Sequence, residues 1–145
     1  MEKWTIDFET RSACDLPKAG AWRYAEDPST EVMCLAAKRP DGSSFLWHPD
    51  YSRAGIMECN RDQLEDFLDA IRDGAILEAH NVSFERAIWT KHCVPTLGWP
   101  EVKPDQWRCS MALTAIHALP RSLGAAADAL GLDIRKDEKG SRVMK

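Results

Sequence analysis

The segment Trp4-Thr5-Ile6-Asp7-Phe8-Glu9-Thr10 alternates apolar and polar positions and predicts a strand over about residues 3–10. A long polar connection through Pro17, Gly20 and Pro28 follows it. Glu31 to Lys38, with Val32, Met33, Cys34, Leu35, Ala36 and Ala37, reads as a second, largely buried strand. Pro40-Asp41-Gly42-Ser43 is a turn signal, and Ser44-Phe45-Leu46-Trp47 makes a third strand, so the two strands form a hairpin. Asn60 opens a helix, with Gln63 placed for a capping box. Leu64, Phe67, Leu68 and Ile71 repeat at helical spacing in that helix, and Gly74 closes it.

Ala75-Ile76-Leu77-Glu78-Ala79 is a fourth strand, and Asn81 is placed to cap a helix running to about Cys93. A loop rich in proline and glycine leads to a short fifth strand near Trp107-Arg108-Cys109. A helix over about residues 110–118 ends at Pro120. Ser122 caps another, with Leu123, Ala126, Ala127 and Leu130 on one face and Gly131 past its end. Three strands joined by turns and followed by strand–helix alternation predict an α/β domain, a mixed five-stranded sheet flanked by helices. That domain is expected over residues 1–133. Residues 134–145 form a tail, expected to be mobile, because Arg135 to Lys145 holds seven charged residues in eleven and little to bury.

Length and composition add bounds. A chain of 145 residues is large enough to bury one core, and 44% hydrophobic with 29% charged residues is ordinary for a water-soluble domain. No apolar run reaches membrane-spanning length and the start lacks a signal-peptide layout, so a cytoplasmic location is expected. The 5 cysteines are odd in number and lack C-x-x-C spacing, which predicts reduced thiols and no zinc site. A net charge of −4 argues against a nonspecific duplex-DNA binder, but leaves room for an enzyme whose cations meet phosphates.

Candidate chemistry begins with Asp7 and Glu9. Side chains alternate along a strand, so these carboxylates share one face while Ile6 and Phe8 share the other. They stand about 6–7 Å apart along the strand, an unfavourable placement for two like charges. Divalent cations relieve that repulsion, as in phosphodiester hydrolysis by two ions roughly 3.5–4 Å apart. The D-x-E string alone is weak, since this composition produces about one by chance. A third acid, Glu85, falls in the first turn of the helix after Ala79-His80-Asn81. Acids are favoured there by the helix dipole alone, so its position admits both a structural and a functional reading.

Together these residues carry a resemblance. Asp7-Phe8-Glu9-Thr10 resembles the first motif of the DnaQ-like (DEDD) 3′–5′ exonucleases, and His80-Asn81-Val82-Ser83-Phe84-Glu85 resembles their second. The strings D-F-E-T-R-S, G-A-W-R-Y-A-E-D-P, W-R-C-S-M-A-L and S-L-G-A-A-A-D-A-L-G-L are similar to the proofreading domain of bacteriophage family A DNA polymerases. The likeness covers about residues 5–133 and implies a ribonuclease-H-like fold. It further implies that Asp7, Glu9 and Glu85 ligate two Mg²⁺ or Mn²⁺ ions. Asp7 would bridge both, Glu9 would serve the ion that activates water, and Glu85 would assist the second. Thr10, Asn81 and Phe84 would contact the terminal nucleotides of a single-stranded DNA 3′ end, and a polymerase domain in cis is the expected partner.

Two departures qualify the resemblance. The residue at position 85 is more often Asp in that family. The family's third motif, a Tyr or His four or five residues before an Asp, is missing: His117 has no acid in reach, and Asp128 has Gly124 and Leu123 at the matching upstream positions. The expectation is therefore a piece of a longer phage-type polymerase whose hydrolysis is well below that of a complete domain. The alternatives are an RNA or oligonucleotide exonuclease of the same superfamily, and a non-catalytic module that binds nucleic acid or a polymerase. His48, His92 and His117 lack a ligand set, and His80 reads as a strand-end histidine. Most of the 6 tryptophans are expected in the core, while Trp22, beside Arg23 and Tyr24, could stack on a nucleotide. The oligomeric state is not legible in the sequence.

Overall fold

A computed structural model describes residues 2–49 and 61–133. The chain divides into two units, Met1–Cys109 and Ser110–Lys145. The first holds a five-stranded mixed sheet, as the patterning predicts. Its strands are β1 (Lys3–Arg11), β2 (Glu31–Lys38), β3 (Ser44–Trp47), β4 (Ile76–Ala79) and β5 (Trp107–Cys109), in the spatial order β3-β2-β1-β4-β5. β2 is antiparallel to both β1 and β3, while β4 runs parallel to β1 and to β5.

The connection after β1 departs from the polar loop expected there. It holds two short helices, α1 (Leu16–Ala19) and α2 (Ala21–Glu26). The Asp15 carboxylate caps α1 by accepting from the Lys18 N–H, and Pro17 sits in the first turn, where its missing donor costs nothing. Four-to-six-residue helices carry too few apolar repeats to register as periodicity. α2 is held in place by burial of Tyr24 and Ala25.

α3 (Arg61–Arg72) buries the predicted stripe of Leu64, Phe67, Leu68 and Ile71. Its predicted cap, Asn60, lies outside the described residues, as does the tail from residue 134. Asn81 is not the side-chain cap of the next helix. It takes a left-handed φ of 69°, and the residue before α4 (Ser83–Ile88) is Val82, with no capping side chain. The helix also continues past Cys93, through a π-helical turn (Trp89–Cys93) into α5 (Val94–Leu97). The Val94 N–H reaches back five residues to the Trp89 carbonyl. Pro95 explains the wide turn: it donates no hydrogen bond, and its ring would press on the Lys91 carbonyl in a regular helix.

The core is a belt of aromatic rings against one face of the sheet. Trp4 meets Phe67 edge-on at 5.1 Å, and Trp99 lies 4.9 Å from both Trp47 and Trp89. Offset and edge-on geometries of this kind are the favoured ones for aromatic pairs. Trp4, Trp47, Trp89, Trp99 and Trp107 are buried, as expected for most of the tryptophans, and Trp22 is exposed. Buried Gln106 ties β5 to α3: its Nε2 donates to the carbonyls of Ile71 (3.0 Å) and Ala75 (2.9 Å), and its Oε1 accepts from the Lys103 N–H at 2.9 Å.

In the second unit, α6 (Ser110–Ile116) and α7 (Leu123–Ala129) fall where the pattern places them. Ser122 caps α7 by accepting from the Ala125 N–H. Ala126 is buried and Ala127 half-buried, but Leu123 and Leu130, expected on the same packed face, are exposed. Among the described residues, no helix is long and apolar enough to cross a membrane.

Candidate functional site

β1 carries the site. Trp4, Ile6 and Phe8 are buried on the core face, whereas Asp7 is exposed and Glu9 half-buried on the other, as alternation requires. Asp7 pairs with Ala36 and Glu9 with Cys34 on β2. Beyond Glu9 the register slips: Thr10 faces Val32, leaving Met33 as an extra residue on β2. This bulge lets Leu35 and Val32, three positions apart, both face the core. Thr10, on the side of Phe8 by alternation, is thereby set across from buried Val32.

On its other edge β1 outruns its neighbour. The parallel pairing ends at Thr5↔Glu78 and β4 stops at Ala79, while β1 continues to Arg11. Crevices at the carboxyl ends of parallel strands, where the strand order reverses, are the usual ligand sites of open α/β sheets. The chain leaves β4 here, turns at exposed Asn81 and starts α4, which brings Phe84 and Glu85 alongside β1.

Glu85 is buried, 4% exposed, and its Oε2 has no hydrogen-bond partner. Burial above all, and then the charge of Asp7, push its pKa up from 4.5 to about 7, against a hydrogen bond to its own backbone. The two carboxylates therefore lie within electrostatic reach of one another. On the outer face, burial and the charges of Glu9 and Asp7 push the Cys34 thiol above its usual range, although a backbone hydrogen bond with Glu9 opposes them. Among the described residues, no three His, Cys, Asp or Glu side chains stand close enough together to hold a metal ion. Asp7, Glu9 and Glu85 are thus brought to one end of the sheet without closing into a ligand set.

The donor set still suits a hard divalent cation. All three groups are carboxylates, and a buried carboxylate oxygen without a partner is the group such an ion would satisfy. An open groove of about 430 Å³ on β1–β3 includes Asp7 and Lys38 in its lining.

The nucleotide-contact candidates occupy two settings. Asn81 is exposed at the turn. Thr10 and Phe84 converge instead on a residue that periodicity could not single out, Tyr24 of α2. The Tyr24 and Thr10 hydroxyls are 2.9 Å apart, and the Tyr24 ring lies 5.9 Å from that of half-buried Phe84. Trp22 has Lys91 Nζ 5.9 Å from its ring, and Lys91 is paired with Glu26 at 2.7 Å. Burial lowers the His92 pKa against the charge of Glu31. Cys14, Cys34, Cys93 and Cys109 take part in no disulfide among the described residues, and burial pushes the Cys93 thiol far up.

No protein-family model matches the chain. Over 150 aligned residues it is 31% identical to a DNA polymerase of Bacillus phage SP02, an alignment that takes in all of this chain and 20% of that polymerase. Among solved structures, a chain of yeast NOT1 MIF4G domain co-crystallized with CAF1 superposes with a TM-score of 0.53 at 10% identity, covering 90% of this chain and 69% of that one. That likeness is one of fold alone. The family B DNA polymerase of the hyperthermophilic archaeon Pyrobaculum calidifontis gives a TM-score of 0.41 at 19% identity, covering 68% of this chain and 11% of the polymerase. The chain is thus similar along its whole length to a stretch about one fifth as long as a phage DNA polymerase.

Proposed function

We propose that this chain is a 3′–5′ exonuclease-type domain that receives the 3′ end of single-stranded DNA, with Asp7, Glu9 and Glu85 as its metal-binding carboxylates. The observation that carries the reading is Glu85: a buried carboxyl with an unpartnered oxygen, in the field of Asp7, at the open end of β1. A structural acid in that position would have been given a donor, because an unsatisfied buried polar group costs about 1–3 kcal/mol. Similarity to a phage DNA polymerase and the α/β sheet, consistent with a ribonuclease-H-like fold, point the same way.

Mg²⁺ or Mn²⁺, when bound, would lower the pKa of a water toward neutrality and stabilise the leaving 3′ oxygen. Asp7 and Glu9 hold negative charge on one rigid strand face, and Glu85 gives up its proton to join them. Phe84 offers an apolar surface to a terminal base, which requires no sequence code. The chain lacks the Tyr or His and the Asp of the third motif, so no residue read from the sequence orients the attacking water. Hydrolysis is accordingly expected well below that of a complete domain, and the similarity to a phage DNA polymerase supports a polymerase domain in cis as partner.

A second reading, a non-catalytic module binding nucleic acid or a polymerase, is favoured by the open spacing of the three acids among the described residues. Titrating Mn²⁺ while following thermal unfolding separates the two. A ligand bound only by the folded state stabilises it by about 2.7 kcal/mol at a hundred times its Kd. The nuclease-type reading expects the melting midpoint to rise with Mn²⁺ and the rise to vanish in Asp7→Asn. A midpoint indifferent to Mn²⁺ at neutral and mildly alkaline pH would leave the non-catalytic module standing.

A further inference from the structure

Thr10 ends the first motif on β1 and Phe84 belongs to the second on α4; nothing in the sequence links them directly. Tyr24, from a third element, touches both. Its hydroxyl meets the Thr10 hydroxyl at 2.9 Å, and its ring packs at 5.9 Å and 47° against Phe84. Tyr24 is itself fixed: it is 7% exposed, its N–H donates to the Gly20 carbonyl at 3.0 Å, and its carbonyl accepts from buried Thr30 at 2.5 Å. Phe84, by contrast, is only half-buried, so part of its surface remains open.

Resting on the exonuclease-type reading, we propose that Tyr24 is a positioning residue for the terminal nucleotide, holding the Phe84 ring and the Thr10 hydroxyl as one surface. Two hydroxyl groups carry two protons, and their mutual hydrogen bond uses one. The pair therefore presents its remaining O–H to a sugar or phosphate oxygen while the base lies on the open part of Phe84. Substrate contacts from two distant motifs are in this way set by a buried tyrosine that itself stays behind them.

The test measures, on the full chain with Mn²⁺ present, the binding of a short 5′-labelled single-stranded oligodeoxynucleotide by fluorescence anisotropy. Tyr24→Phe keeps the ring and removes the hydroxyl; Thr10→Val removes its partner. Each is expected to weaken binding about three- to tenfold, the range of one hydrogen bond. The double variant should be no weaker than either single one, and the Mn²⁺-dependent rise in melting midpoint should be unchanged in all three. Wild-type affinity in Tyr24→Phe, or losses that multiply in the double variant, would overturn the positioning role and leave the wider reading intact. A wild-type chain that binds no oligonucleotide overturns both.

Discussion

Asp7 on β1 and Glu85 on α4 share an electric field across the open end of the sheet. The charge of the exposed acid, added to burial, keeps the hidden one protonated up to about pH 7. The folded chain therefore binds this proton more tightly than the unfolded chain does. Stability from the neutral Glu85 is fully present below about pH 4.5 and is lost as pH rises to about 7.

A pH series of thermal melts should register that loss. From about pH 5 to pH 8 the Glu85 contribution falls by about 2–3 kcal/mol, since each tenfold difference in proton affinity is worth roughly 1.4 kcal/mol. Glu85→Gln keeps the shape without the ionisation and should flatten this part of the profile. A variant whose melting midpoint tracks pH as the wild type does would assign the dependence to other groups.

Cation binding should show the opposite pH dependence. A carboxylate must be deprotonated to ligate a metal, so on the proposed reading the Mn²⁺ ion that Glu85 serves would displace its proton when the pH is below about 7. The Mn²⁺-induced rise in midpoint is expected to be larger at pH 8 than at pH 6. In Glu85→Gln the rise should be smaller and the contrast between the two pH values should disappear. Calorimetry in buffers of different ionisation enthalpy would detect the released proton directly.

Asn81 allows conformation and contact to be separated. Its φ of 69° suits Asn or Gly and disfavours a β-branched side chain. Asn81→Val should lower stability by about 1–2 kcal/mol through backbone strain alone. Asn81→Gly should fold as well as the wild type, so any loss of oligonucleotide affinity in it reports the missing amide.

Gln106 offers a test of the scaffold that leaves the site untouched. Gln106→Ala strips hydrogen bonds from the Ile71 and Ala75 carbonyls and from the Lys103 N–H. Chemical denaturation should show a loss of about 1–3 kcal/mol, because three hydrogen bonds are removed at once, two of them to buried carbonyls. Oligonucleotide binding under native conditions should be unchanged.

Much of the sheet is legible in the sequence because its signals are local. Period-two alternation places Asp7 and Glu9 on one face of β1, the Asp41-Gly42 turn announces the β2–β3 hairpin, and Leu64, Phe67, Leu68 and Ile71 mark the buried stripe of α3. α1 and α2 escape the pattern because helices that short hold no full apolar period. Asn81 reads as a cap from its residue type, which favours helix starts and left-handed turns alike. The π-helical turn has a cue in Pro95, whose chemistry forbids a regular helix around it.

Chain pattern alone thus sets which faces of which elements carry acid, because side-chain direction follows from backbone period. How those acids behave is settled by three-dimensional packing. Glu85 has a raised pKa and an orphaned oxygen because of what packs around α4. Thr10 meets Tyr24 because α2, distant in sequence from the end of β1, brings the Tyr24 hydroxyl to within 2.9 Å. Burial and through-space charge depend on residues brought together from distant parts of the chain, and no local pattern encodes them.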